Sequence, residues 1–275
     1  MIDAHQHYWH PDRGDYDWMP LDHPILGRPY HPADLVPMLK AQGIERTVLV
    51  QAAATVEETE YLLGIADATP SVAGVVGWID FEDPSHHRHL ARLAKHPKFK
   101  GVRPMIQDIP DDDWMLRDTI QWAFQAVVDI DLTFDALGFP RHLANFHTIL
   151  TRYPKMRVVI DHCMKPQIRD HGPETFAHWA DGMRRLAKDT SAFCKLSGIV
   201  TESDGWNLDK LRPYAERVLQ LFGPQRIMWG SDWPVCQLEA CYDDWRGAAE
   251  ALTSNLIEAD RGAIFGGTAQ SFYRL

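Results

Sequence analysis

The sequence predicts one (β/α)8 TIM barrel domain of the α/β class spanning residues 1–275. Eight short apolar, β-branched runs recur along the chain, and longer amphipathic segments with helix start and stop signals lie between them. No Ser/Gly-rich linker or break in composition divides the 275 residues, a length that suits a barrel of about 250 residues. The 45% apolar content, with 10 Trp, 11 Phe and 8 Tyr, excludes a disordered chain.

The predicted strands are short runs bounded by polar or turn-forming residues. They are Ile2–His7, Thr47–Gln51, Ala73–Ile79, Gly101–Arg103, Leu132–Asp135, Arg157–His162, Ala192–Ser197 and Ile227–Asp232. Most are followed by a helical segment, a pattern that favours a closed barrel over an open sheet.

Helix starts are marked by two capping signals. Thr55 with Glu58 has the pattern of a capping box, and Asp83 followed by Pro84 offers an N-cap with Pro at the first helical position. Further helices are predicted at Ala33–Gln42, Asp113–Val128, Arg141–Arg152, Thr175–Lys188, Leu208–Phe222 and Tyr242–Thr253.

A long irregular insert, Trp9–Tyr30, follows the first strand. It is polar and rich in Pro, so we expect it to lie outside the core and to form a lid or wall over the barrel mouth.

Composition also limits the partners of the protein. The formal charge of −10, from 38 acidic and 28 basic side chains, disfavours binding to nucleic acid or anionic lipid. No apolar stretch is long enough for a membrane helix, and the N-terminus lacks a signal-peptide pattern, so we expect a cytoplasmic protein. The four scattered Cys predict reduced thiols. The oligomeric state is left open.

Polar residues collect at the ends of three predicted strands, where the active site of a barrel forms. His5 and His7 share one face of the first strand, because strand side chains alternate. His162 ends the sixth strand, and Asp232 ends the eighth after Gly230, which leaves room for close approach. These residues could hold one Zn²⁺-like ion, or they could form a proton-transfer set around a bound water.

Several longer motifs resemble those of the amidohydrolase superfamily. They are Ile-Asp-Ala-His-Gln-His at the start, Gly-Val-Arg at 101–103, Ile-Asp-His at 160–162, Lys-Leu-Ser-Gly at 195–198, Trp-Gly-Ser-Asp-Trp-Pro at 229–234 and the terminal Gly-Gly-Thr-Ala-Gln-Ser-Phe-Tyr. The segments 134–143 and 196–202 are most similar to sugar-acid lactonases of the L-fuconolactonase type, within the branch that contains sugar and pyrone lactonases.

The resemblance implies that His5, His7, His162 and Asp232 are metal ligands and that Asp232 is also the base that deprotonates the attacking water. The sequence departs from the binuclear members, since Arg103 and Asp135 end the fourth and fifth strands in place of residues that would hold a second metal. One divalent metal, Zn²⁺, is therefore expected, and a metal-independent enzyme is the alternative.

The expected activity is hydrolysis of a sugar-acid lactone, L-fucono-1,5-lactone or a related aldonolactone, by an activated water. Asp232, His162 and Arg103 are the candidate catalytic residues, with Arg103 polarising the lactone carbonyl. Substrate contacts are expected from residues near strand ends or in the following loops: Gln51, Arg103, Asp135, Lys165, Trp18, Trp78 and Trp206.

Each substrate contact also has a structural explanation, such as an Arg103 ion pair with Asp135 or Asp232, or core packing of the tryptophans. Two alternative functions remain at this point. One is a decarboxylase of an aromatic or muconate acid, and the other is a non-catalytic barrel that binds a small molecule.

Overall fold

Eight parallel strands surround a central core in the computed structural model, which describes all 275 residues. The strands are β1 (Ile2–Gln6), β2 (Arg46–Val50), β3 (Val72–Gly77), β4 (Phe99–Val102), β5 (Thr133–Ala136), β6 (Arg157–Ile160), β7 (Phe193–Leu196) and β8 (Ile227–Trp229). Each strand pairs with the next in the sequence. The residues after β8 close the ring, because Asp232 N donates to His5 O at 2.8 Å and His7 N donates to Trp233 O at 2.7 Å. The predicted TIM barrel is confirmed.

Helices connect successive strands and form the outer layer. They are α1 (Pro32–Ala41), α2 (Val56–Ala68), α3 (His87–Leu93), α4 (Gln121–Asp129), α5 (Leu143–Arg152), α6 (Pro173–Asp189), α7 (Leu208–Phe222), α8 (Tyr242–Leu252), α9 (Glu258–Gly262) and α10 (Thr268–Tyr273). No helix combines the length and the apolar character that a membrane span requires.

Two helix predictions need correction. The helix predicted over Asp113–Val128 begins only at Gln121, because Arg117 is extended and separates two short 3₁₀ turns. At the start of α2, Thr55 caps the backbone N–H of Glu58 as predicted. The Glu58 carboxylate, however, accepts from the backbone N–H groups of Ala52 and Ala53 instead of completing a capping box.

An irregularity in β1 sets the direction of the active-site histidines. Asp3 pairs with Thr47 and Gln6 with Leu49, so β1 carries one residue more than β2 over this span. The Asp3 carboxylate therefore faces outward and accepts from the Tyr242 hydroxyl at the start of α8. Strict alternation along β1 would place Asp3 on the same face as His5, but the bulge breaks the alternation.

The lower half of the barrel interior is apolar and is closed from below by α10. Val48, Val76 and Met228 from the strands pack with Phe272 and Tyr273 in one buried cluster. Burying each large side chain stabilises the fold by roughly 2–3 kcal/mol. The C-terminal helix, which the sequence did not predict, thus forms the floor of the barrel.

The insert Trp9–Tyr30 contributes to the core, contrary to the expectation that it lies outside. Trp9 and Tyr30 form a backbone bridge and are fully buried, and Tyr16 and Met19 are also buried. Although the overall composition of the segment is polar, its aromatic side chains supply apolar surface to the core. That the whole chain acts as one domain stays a prediction.

Candidate active site

Strained backbone positions two of the site residues at the carboxyl ends of the strands. His162 and the three residues that follow all have positive φ, between 45° and 60°, and Asp232 has φ of 58°. A non-glycine residue in this region costs on the order of 1 kcal/mol. Strain of this kind is concentrated at functional sites, and here it turns both side chains toward the barrel axis.

Two glycines leave the space that these side chains occupy. A Cβ on Gly198 would lie 2.6 Å from the His162 ring, and one on Gly230 would lie 2.7 Å from the His5 Cβ. The predicted close approach at Gly230 is therefore present.

Four donor atoms converge at the base of the barrel mouth. His5 Nε2 lies 3.1 Å from His7 Nε2, and Asp232 Oδ1 lies 3.3 Å from His7 Nε2. The same Asp232 oxygen is 3.7 Å from His5 Nε2 and 3.8 Å from His162 Nε2. The structure thus brings together all four predicted metal ligands from three strand ends.

The Nδ1 atom of each imidazole contacts a polar group of the protein, and these contacts orient the three rings. His7 Nδ1 lies 2.8 Å from Val50 O and donates to it, which leaves the Nε2 lone pair directed at the centre of the site. His162 Nδ1 pairs with Ser197 Oγ at 2.9 Å, and Lys195 Nζ lies 3.0 Å from His5 Nδ1.

Burial keeps these histidines neutral. It lowers the pKa of His162 to about 4, lowers the pKa of His7, and together with the charge of Lys195 holds the pKa of His5 well below its usual value. Burial acts in the opposite sense on Asp232, but its interactions with the three histidines outweigh it and lower the pKa of that carboxyl. At neutral pH the site therefore offers three neutral imidazoles and one carboxylate, and His5 presents an Nε2 lone pair only when its Nδ1 carries the ring proton.

Below these donors lies a layer of buried charges. Lys195 Nζ is 2.5 Å from Asp135 Oδ2 and 2.9 Å from Asp161 Oδ1. Arg103 Nη1 is 3.5 Å from Asp161 Oδ2, and the Arg103 guanidinium also donates to Gln51 O. Burial would raise the pKa of Asp161, but the Lys195 charge holds it well below its usual range. The ion-pair partner of Arg103 is thus Asp161, not Asp135 or Asp232.

A cavity of about 230 Å³ opens above the site. Six of the predicted site residues line it, together with apolar side chains such as Leu26 and Leu137. These six are His7, Trp18, Arg103, His162, Lys165 and Asp232. His5 lies beneath them and is fully buried.

Four of the predicted substrate contacts lie outside this cavity, and their roles toward a substrate stay predictions. Gln51 is buried, and its side-chain amide donates to Arg103 O at 2.6 Å. Asp135 is buried against Lys195 one layer below. Trp78 lines an adjoining acidic groove, and the Trp206 indole donates to Glu239 O. The position of these residues near strand ends did not indicate which side chains form hydrogen bonds or ion pairs with other residues of the chain.

Lys195 is one of two charged residues of the site region, with Asp161, to which sequence reasoning assigned no role. The signal for it was a lysine between the apolar residues Cys194 and Leu196 of a predicted strand, in phase with Ser197. Such a lysine must face the barrel interior, where a charge requires buried partners.

Three of the four predicted donors, on His5, His7 and Asp232, lie close enough together to fit a divalent metal ion. Metal–ligand bonds of about 2.0–2.1 Å in a tetrahedron place ligand atoms about 3.3–3.4 Å apart. Asp232 Oδ1 lies 3.3–3.8 Å from the histidine Nε2 atoms, and His5 Nε2 lies 3.1 Å from His7 Nε2, so the spacings are around this value. A second group of donors, on His5, Asp161 and His162, also has its ligand atoms within 4.8 Å of one another.

Comparison with known proteins identifies the family. A family model described as amidohydrolase matches residues 2–275. The chain belongs to the amidohydrolase family. This amidohydrolase is an enzyme, and it is 42% identical to an L-fucono-1,5-lactonase of Burkholderia ambifaria, across the whole chain and 95% of that relative. It is 36% identical to an L-fucono-1,5-lactonase of Burkholderia multivorans, across the whole chain and 96% of that relative.

Solved structures agree with this assignment. A crystal structure of an amidohydrolase from Burkholderia multivorans with bound zinc matches with a TM-score of 0.94 and 35% identity, over the whole chain and 99% of that structure. A 5-carboxyvanillate decarboxylase from Novosphingobium aromaticivorans matches with a TM-score of 0.74 at 14% identity, over the whole chain and 96% of that structure, and shows the fold alone.

Proposed function

We propose that this amidohydrolase hydrolyses a sugar-acid lactone, L-fucono-1,5-lactone or a closely related aldonolactone. The observation that carries the proposal is the convergence of three neutral histidines and an ionised Asp232 beneath a small cavity, in a chain similar over its full length to two L-fucono-1,5-lactonases. The cavity of about 230 Å³ is smaller than the roughly 300 Å³ at which pockets for drug-sized ligands begin, and it suits a single sugar ring.

The metal of the site is Zn²⁺ in this proposal. His5, His7, His162 and Asp232 would hold it, since imidazole nitrogen and carboxylate oxygen are ligands that Zn²⁺ accepts. When bound, it acts as a Lewis acid toward the lactone carbonyl and lowers the pKa of water in the site. The zinc in the relative from Burkholderia multivorans supports this choice.

Asp232 accepts the proton of the attacking water. Its carboxylate is ionised at neutral pH and lies at the cavity wall beside His7 and His162. Hydroxide then adds to the lactone carbonyl. On collapse of the tetrahedral intermediate, the ring oxygen leaves and takes the proton from Asp232, so the carboxylate is regenerated without a covalent enzyme intermediate.

Cationic side chains stabilise the oxyanion that forms on the carbonyl. Arg103 and Lys165 both line the cavity, and the Arg103 guanidinium is held by Gln51 O and Asp161. Donors fixed before the reaction stabilise a developing charge without reorganisation. Trp18, with 37% of its surface exposed, offers an apolar face to the sugar ring.

A pH-indicator assay with a panel of aldonolactones tests the activity. Purified protein supplied with Zn²⁺ should accelerate acid release from at least one lactone, and no acceleration across the panel would contradict the proposal. Asp232→Asn should lower kcat at least 100-fold while the circular dichroism spectrum stays native, whereas retained activity would exclude Asp232 as the base. Evolution of CO₂ from an aromatic acid, without lactone opening, would select the decarboxylase instead. The cytoplasmic location and the lack of a nucleic-acid partner stay predictions from the sequence.

A further inference from the structure

Two spaces lie side by side at the mouth of the barrel, and one aromatic side chain stands between them. The catalytic cavity has a volume of about 230 Å³, and the adjoining acidic groove has a volume of about 740 Å³. Trp18 and Met105 are the two residues that line both spaces. They therefore form the wall that separates the cavity from the groove.

Trp18 is held in this wall from two sides. Its indole N–H donates to Ala52 O at 2.6 Å, in the loop after β2. The Ala52 N–H in turn donates to the buried Glu58 carboxylate at 3.0 Å, which anchors that loop. On the other side the Trp18 ring packs edge-to-face against the fully buried Trp9, with 5.7 Å between the ring centroids. The ring cannot swing aside without losing both contacts.

Met105 is the pliable part of the same wall. Its side chain is half-buried in the segment after β4, and a thioether chain with three rotatable bonds adapts readily to its surroundings. Met105 can therefore yield to a ligand, whereas Trp18 cannot. The size of the catalytic cavity is set by Trp18.

The groove on the far side of Trp18 suits a neutral and largely apolar group. Trp78, Phe81 and Trp114 line it with aromatic surface, against which an alkyl or aryl group can pack. No Lys, Arg or His lines the groove, so its carboxylates repel an anionic group. These carboxylates belong to Asp15, Asp17, Asp80, Glu82 and Asp108.

We propose that Trp18 determines the size of the substrate, because its indole ring closes the catalytic cavity against the groove. With Trp18 in place, the enzyme accepts lactones of a single ring with small substituents. Without the indole, the two spaces join and admit a lactone whose ring lies beside Asp232 and whose neutral alkyl arm lies against Trp78 and Trp114. The inference rests on the proposed function in one respect, that the lactone binds in the catalytic cavity.

Trp18→Ala tests the proposal with lactones that differ only in size. The kcat/KM is measured for δ-valerolactone and for δ-lactones that carry a pentyl arm at each ring carbon in turn. For at least one pentyl lactone, the ratio of its kcat/KM to that of δ-valerolactone should rise at least about tenfold above the wild-type ratio, since each buried methylene contributes about fourfold in affinity. Unchanged ratios for every pentyl lactone would overturn the proposal.

Two control variants separate removal of the wall from a general loosening of the barrel mouth. Trp18→Phe keeps an aromatic ring in the wall. Trp78→Ala removes an indole that lines the groove but not the catalytic cavity, so it enlarges the groove without joining the two spaces. Both variants should keep the wild-type ratio, and a rise in Trp78→Ala equal to that in Trp18→Ala would contradict the assignment of the wall to Trp18.

A second readout does not depend on catalysis. The corresponding lactams have an N–H in place of the ring oxygen and resist hydrolysis, so their Kd can be measured by NMR titration. The Kd of at least one pentyl lactam should be about tenfold lower for Trp18→Ala than for Trp18→Phe and Trp78→Ala. If the wild type opens no lactone, the proposed function is wrong, and equal lactam Kd values in the three variants would then refute the role of Trp18 separately.

Discussion

Replacing Gly198 with alanine tests whether the site depends on the placement of His162. The added methyl group would lie 2.6 Å from Cγ and Nδ1 of the His162 ring, whereas ordinary contact begins at 3.4 Å. The ring must therefore move by about 0.8 Å, away from its partner Ser197. Because misplacement of a reacting group by about 1 Å can cost about 100-fold in rate, we expect kcat/KM for lactone hydrolysis to fall about 100-fold.

The backbone cost of this substitution can be measured separately. Gly198 has φ of +65°, and an L side chain in this conformation costs about 1–2 kcal/mol. Gly205 has φ of +70° with no atom within 4 Å of an added Cβ, so Gly205→Ala carries the same backbone cost without the clash. Both variants should lose a few degrees of Tm, and only Gly198→Ala should lose activity. If Gly198→Ala keeps kcat/KM within threefold of Gly205→Ala, the argument from His162 placement is refuted.

Two further predictions concern stability and substrate binding. Burial raises the pKa of Glu58 from 4.5 to about 8, so the folded state favours the protonated form and stability falls as the pH rises through this window. The free energy of unfolding of the wild type should fall by on the order of 4 kcal/mol between pH 4.5 and 8, and that of Glu58→Gln should not. If urea unfolding curves give the same fall for both proteins, the prediction is contradicted. Trp18→Ala should raise KM about tenfold because it removes an aromatic wall of the cavity, while Trp206→Ala should leave KM unchanged. Equal KM values for the two tryptophan variants would count against a substrate contact at Trp18.

Local sequence patterns predicted the barrel because each strand is an apolar run whose boundaries depend on its own residues. The same patterns placed His5, His7, His162 and Asp232 together, since the carboxyl ends of parallel strands meet at one end of a barrel. In the structure, the side chains of β1 depart from strict alternation between the two faces of the sheet. The bulge in β1 turns Asp3 toward Tyr242, and no feature of the sequence marks the extra residue.

Long-range pairing explains the remaining differences. Asp135 ends a strand, as a substrate-binding residue would, but it is bound by Lys195 and Tyr273, which lie 60 and 138 residues away in the sequence. Gln51 is likewise bound to Arg103 O, 52 residues away. Partners at such separations follow from the closure of the barrel, and the spacing of residues within one strand contains no information about them.

The most direct test of the account is the rate of L-fucono-1,5-lactone opening by protein stripped of metal with a chelator, before and after addition of one equivalent of Zn²⁺. If the four donors at the barrel mouth hold the ion that supports hydrolysis, the stripped protein should lose at least 99% of its activity and one equivalent should restore it. Full activity in the stripped protein, with no Zn²⁺ taken up on addition, would contradict the account.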